Sequence, residues 1–164
     1  MPFIVSVSGA DKIGVTVACE RIYHALRHTH KVAIVSMNTR NNTMKFEDDF
    51  CLGAYDDVDV LIIDKHPYIA SALNRNLRNA LFDADSIKPH LSLVMTCRFD
   101  TYKQRGGSVK TGSTHRMLDN YATSKPAYFG TDNHHRIACD GNDGRLAAAG
   151  DMIAIIRKQL KGRK

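Results

Sequence analysis

Apolar residues along this chain follow two rhythms. Short continuous runs rich in β-branched residues recur at residues 3–7 (FIVSV), 31–37 (KVAIVSM), 59–64 (DVLIID), 91–96 (LSLVMT) and 136–139 (RIAC). Runs of that length and composition predict strands buried on both faces. Between them the spacing becomes helical. Val15, Ala18, Cys19, Ile22 and Leu26 form one stripe, and residues 145–160 place Leu146, Met152, Ile153, Ile156 and Leu160 as core candidates. Further helical patterns cover residues 68–82, 99–105 and 114–123. Residues 43–58 read either as a short helix or as an edge segment, with Met44, Phe46, Phe50 and Leu52 as the apolar positions. Strands alternating with helices, without hairpin signals, predict one α/β domain with a five-stranded parallel sheet flanked by helices in three layers.

The first strand runs into Gly9-Ala10-Asp11-Lys12-Ile13-Gly14, and a helix begins at once around Thr16. A strand, a glycine loop and a helix start together aim backbone N–H groups at an anion. The spacing G-x4-G-x-T fits a phosphate-binding P-loop except that Val15 stands where a lysine is expected. A tight turn is the plainer alternative. Asp64 closes the third strand, where side chains at strand carboxyl ends line the ligand crevice of open α/β sheets. Its plainer reading is a turn aspartate. Residues 105–113 (RGGSVKTGS) are basic, glycine-rich and almost without apolar side chains, which suits a lid closing over an anion or a simple linker. His24 and His28, four residues apart on a helix, could share a metal, or could simply form a basic helix end.

Composition narrows the partners. A net charge of +6 favours anionic ligands such as nucleotides, phosphate esters or nucleic acid. Nucleic acid ranks last, because no zinc pattern, aromatic ribonucleoprotein motif or basic heptad is present. No apolar run reaches membrane-spanning length, and Asp11 and Lys12 interrupt any signal-peptide pattern, so a cytoplasmic location without membrane contact is expected. The four cysteines are widely spaced, which fits reduced, mostly buried thiols.

In chain order, these landmarks resemble the thymidylate kinase family of P-loop nucleoside-monophosphate kinases. Gly9, Asp11, Gly14 and Thr16 match its G-x-D-x-x-G-K-[ST] loop; Ile63-Asp64-Lys65-His66 with Ala70-Ser71 is similar to its Asp-Arg-Tyr/His segment. Pro89-His90-Leu91 leads to a helix ending in Arg105, as before the family's lid, and Ala138-Cys139-Asp140-Gly141 is similar to its Val-Asp-Ala-Ser. The resemblance implies ATP and Mg²⁺ as cofactors, a deoxynucleoside monophosphate, with dTMP foremost, as acceptor, and a homodimer. It assigns Gly9, Asp11, Lys12, Gly14, Val15, Thr16 and Lys110 to the nucleotide cofactor, and Thr16 and Asp64 to the metal. Lys12, Asp64, Lys65 and Arg105 become the catalytic set, and Arg40, Asp64 and His66 the acceptor site. A lid-like loop spans about 105–115.

The departures carry as much information as the matches. Val15 replaces the lysine, Lys65 replaces an arginine, and only about twenty residues separate the second and third strands, where the family places an acceptor-binding arginine. Lys12 is the residue expected to supply the missing charge. Two functions follow: a compact nucleotide kinase, or a kinase-derived protein that binds a nucleotide or phosphate without useful turnover. So short a version suits a small viral genome.

Overall fold

The computed structural model describes residues 1–10, 12–37, 40–65, 87–107 and 131–163, with the side chains of 40–44 outside that description. In chain order the elements are β1 (Phe3–Gly9), α1 (Val15–Leu26), β2 (Val32–Ser36), α2 (Arg40–Cys51), β3 (Val60–Asp64), β4 (Leu91–Thr96), α3 (Phe99–Gln104), β5 (His134–Ala138) and α4 (Gly144–Lys161). The helical patterns at 68–82 and 114–123, and most of the lid-like loop, lie outside the described residues. No helix among the described residues is long and apolar enough to cross a membrane.

The five strands form one parallel sheet in the order β2-β3-β1-β4-β5. The all-apolar runs explain why β1, β3 and β4 sit inside: each is buried along its length, and alternate residues of β1 and β3 feed two cores. Val5, Val7, Ile62 and Leu93 pack with α1, α3 and α4 on one face. Ile4, Leu61 and Ile63 pack with Phe46 of α2 on the other. The central strands are therefore covered on both sides, and the architecture is the three-layer α/β sandwich that the strand runs predict.

The expected α1 stripe is buried in full, from Val15 to Leu26. The ambiguous segment after β2 is helical. Phe46 and Phe50 turn inward to meet Tyr55, with ring centroids 5.7 and 6.3 Å from it, while Leu52 is exposed. Two expectations need correction. The fifth strand runs over His134–Ala138 rather than 136–139, because it pairs with Ser92–Thr96 from the first residue of that register. Leu146 is not a core residue; it is 55% exposed. The buried face of α4 is Gly144, Ala148, Ala149, Met152 and Ile156, and Leu146 lies two residues from Gly144 and Ala148, on the opposite side of a 3.6-residue turn.

Candidate functional site

The carboxyl ends of β1, β3 and β4 open on one side of the sheet, and the loop leaving β1 folds back over them. Gly9 is required by close approach: a Cβ there would stand 2.6 Å from Ile13 Cδ1 and 3.0 Å from both Met95 O and Val15 Cγ2. Ile13 and Val15 are anchored in the core beneath the loop. Val15, at 4% exposure, therefore offers a ligand its backbone N–H and no side-chain charge. Lys12 and Gly14 take left-handed backbone, with φ of 71° and 103°. Gly14 is the N-cap of α1, and among the described residues no side chain caps the helix. Helix geometry leaves its first-turn N–H groups for a ligand or water, at the positive end of the helix dipole.

Beneath that helix start lies a buried carboxylate. Asp64, the last residue of β3, is 1% exposed; its Oδ2 accepts a hydrogen bond from Thr16 Oγ1 at 2.8 Å. Its Oδ1 is buried and has no hydrogen-bond partner among the described residues. An unpaired buried carboxylate oxygen is costly, and such an atom calls for a cation or a donor that a ligand brings. The carboxylate's field is felt nearby. The Cys19 thiol, one turn after Thr16, is pushed up well above the usual thiol range, chiefly by burial and next by the charge of Asp64. A hydroxyl and one carboxylate are a suitable protein contribution to Mg²⁺, which keeps waters and takes phosphate oxygens for its remaining positions. His24 and His28 find no third ligand: among the described residues no three His, Cys, Asp or Glu side chains gather into a metal group.

Above the carboxylate is a cavity of about 270 Å³, whose walls include Lys12, Thr16, Lys65, Arg105 and Arg145. Four of those side chains are cationic, and among the described residues no carboxylate lines it. Lys65 also takes left-handed backbone, φ 63°, which a non-glycine residue adopts only at an energetic cost and which is enriched at functional sites.

Arg105 is committed elsewhere as well as to the cavity. It sits at the C-terminus of α3, and its Nη2 donates to Cys139 O at 2.6 Å and Gly141 O at 3.2 Å, while Nη1 donates to Cys139 Sγ at 3.3 Å. At the other end of α3, Asp140 Oδ1 accepts from Arg98 N–H and Thr101 Oγ1, both at 2.8 Å. The loop after β5 is thus held by both ends of one short helix. Burial raises the Asp140 pKa, but the hydrogen bonds from Arg98 and Thr101 and the charges of Arg98 and Arg105 outweigh it, and the carboxyl sits below its ordinary range. Cys97 and Cys139, separated in sequence, are brought side by side as free thiols. A hydrogen bond between them, helped by Arg105, holds Cys139 below the usual thiol range and pushes Cys97 above it.

The structure therefore brings together Gly9, Lys12, Gly14, Val15, Thr16, Asp64, Lys65 and Arg105. Arg40 begins α2 with its side chain outside the described residues, and Asp11, His66 and Lys110 lie outside them entirely. Arg145 is the residue that the sequence reading missed. It projects from the first turn of α4; its Nη2 donates to Lys12 O at 2.6 Å and its Nε to Ile13 O at 3.2 Å. The available signal was its place: it follows the strong turn after the last strand, at the same carboxyl edge as the loop.

Neither a family model nor a curated protein matches this sequence. Among solved structures, the chain is similar to thymidylate kinase from Ehrlichia chaffeensis, with a TM-score of 0.62 and 12% identity over 94% of this chain and 98% of that one. At that identity the likeness establishes the fold alone, a five-stranded parallel α/β sandwich shared with that thymidylate kinase.

Proposed function

We propose that the cavity holds the phosphates of ATP with Mg²⁺, and that the chain transfers the terminal phosphoryl group to a nucleoside monophosphate, with dTMP as the first acceptor to test. The observation that carries this reading is the Thr16–Asp64 pair, with its unpartnered Asp64 Oδ1 beneath an uncapped helix start. The similarity of the fold to a thymidylate kinase supports it. Thr16 and Asp64 hold the metal, which when bound neutralises charge on the phosphate oxygens. The N–H groups of the loop and of the first turn of α1 orient the phosphates. Lys12 and Lys65 stabilise charge that moves onto the leaving and transferred oxygens, and positioning of this kind supplies most of phosphoryl-transfer catalysis.

A second reading, binding without useful turnover, is favoured by two observations. Position 15 has no charge to offer, and Arg105 is already hydrogen-bonded to the loop after β5. An assay with ATP, Mg²⁺ and a panel of nucleoside monophosphates separates the two. Turnover that falls about tenfold or more in Lys12→Ala establishes the kinase with Lys12 as a phosphate-facing cation. Mg²⁺-dependent ATP binding without turnover establishes the binding protein. Failure of the wild type in both measurements rejects both readings.

A further inference from the structure

Arg145 reaches the loop from the far end of the chain, 133 residues beyond Lys12. Among the described residues, its hydrogen bonds go to the carbonyls of consecutive peptides, Lys12 O and Ile13 O. In a planar trans peptide the C=O and the following N–H point in opposite directions. Holding both carbonyls on the Arg145 side turns the N–H groups of Ile13 and Gly14 to the other side. The contact is close: a Cβ on Gly14 would stand 3.1 Å from both Arg145 Cδ and Nε, so the side chain lies directly across the glycine. Left-handed residues at 12 and 14 belong to the same shape, because such alternation gathers successive N–H groups into an anion-binding concavity.

This matters because Val15, at the start of the loop's own helix, is packed in the core and brings no charge to the cavity. On the reading of the cavity as a polyphosphate site, we infer that Arg145 is the positioning residue of that site, clamping the carbonyls of Lys12 and Ile13 so that the neighbouring N–H groups are preorganised for a di- or triphosphate. The guanidinium is suited to this by its flat fork, which spans two acceptors; the single ammonium of a lysine does not reproduce that geometry. The carboxylate beneath the loop, Asp64 with its buried unpartnered Oδ1, is a separate feature that the same ligand satisfies through its metal.

The test is titration calorimetry of the full chain with MgATP and with inorganic tripolyphosphate, on the wild type, Arg145→Lys and Arg145→Ala, with amide hydrogen exchange at Ile13 and Gly14. Both variants should bind about tenfold or more weakly, in line with loss of hydrogen bonds from a charged donor. Both should also lose the ligand-induced protection of those two amides while keeping a cooperative thermal transition. If Arg145→Lys binds as tightly as the wild type, charge alone suffices and the clamp is wrong. Unchanged affinity in Arg145→Ala also overturns it. A wild type that binds neither ligand removes the polyphosphate reading itself, and the inference with it, which is a different result from binding that survives the substitution.

Discussion

The two ends of the sheet each carry a concavity, and the larger one is the less informative. At the amino ends of the strands a hollow of about 600 Å³ is lined by Phe3, Lys31, Asp57, Asp59, Leu160 and Arg163, among others. Its charges answer one another: Lys31 Nζ lies 3.4 Å from Asp57 Oδ2, and the Lys31 N–H donates to Asp59 Oδ2 at 2.8 Å. Arg163 stacks over the Phe3 ring at 4.5 Å. The carboxyl-end cavity is less than half that size. It is nevertheless lined by four cations and two strained lysine backbones, and its Thr16 is hydrogen-bonded to Asp64, whose other carboxylate oxygen is buried without a partner among the described residues. Local frustration of this kind marks a site more reliably than volume does, because a fold left to optimise stability alone would have relaxed it.

The largest test of that contrast is a pair of charge removals. Asp64→Asn should keep the Thr16 hydrogen bond and the fold while lowering Mg²⁺-dependent turnover by roughly 10²-fold or more, the scale of losing one electrostatic contact in a reacting site. Where the protein binds without turnover, the same variant should lose the Mg²⁺ dependence of nucleotide affinity. Asp57→Asn, at the other end, should change neither. Equal effects from the two would erase the distinction between the ends.

Val15→Lys comes next in size. The sequence pattern makes it the obvious repair of the loop, but position 15 is buried between Gly9 and the core. A lysine there overpacks the site unless its stem escapes to the cavity, and a loss of about 1–3 kcal/mol is expected in urea unfolding. Unchanged stability with tighter MgATP binding would show that the loop accommodates the lysine that it lacks.

The smallest effect belongs to the amino end and is one of pH. The Ile4 N–H donates to His90 Nδ1 at 3.0 Å, so that nitrogen must be unprotonated in the fold. Burial, and next the charge of Arg163, lowers the His90 pKa from its ordinary 6.5. Since the folded value lies below the unfolded one, this stabilisation is complete above the unfolded pKa and is lost as pH falls through it toward the folded value. Urea midpoints measured from pH 7.5 to pH 5 should therefore fall in the wild type and flatten in His90→Gln. The ligand affinity of the carboxyl-end cavity should not follow that change.

Periodicity and strand-end chemistry made much of this legible. The α1 stripe, the five parallel strands, and the conjunction of Gly9, Gly14, Thr16 and Asp64 at one edge all follow from local pattern, because strand runs and 3.6-residue stripes are written in neighbouring positions. The Leu146 reading failed for a local reason too. Leu146 is apolar, but small residues, Gly144, Ala148 and Ala149, set the buried face of α4, and Leu146 lies on the other side of the helix.

What the sequence alone determined is thus the set of elements, the layer architecture and the anion-seeking character of the first loop. Only the tertiary structure decided which distant residues complete it. Arg145 meets Lys12 and Ile13 across more than 130 positions, Asp140 caps a helix that begins some forty residues earlier, and Arg105 is turned toward Cys139 and Gly141. The physical reason is that a charged side chain on an exposed turn has no periodic signature. Its partner is chosen by the packing of whole elements, and the sheet order β2-β3-β1-β4-β5 is what brings the first loop and the last helix to the same edge.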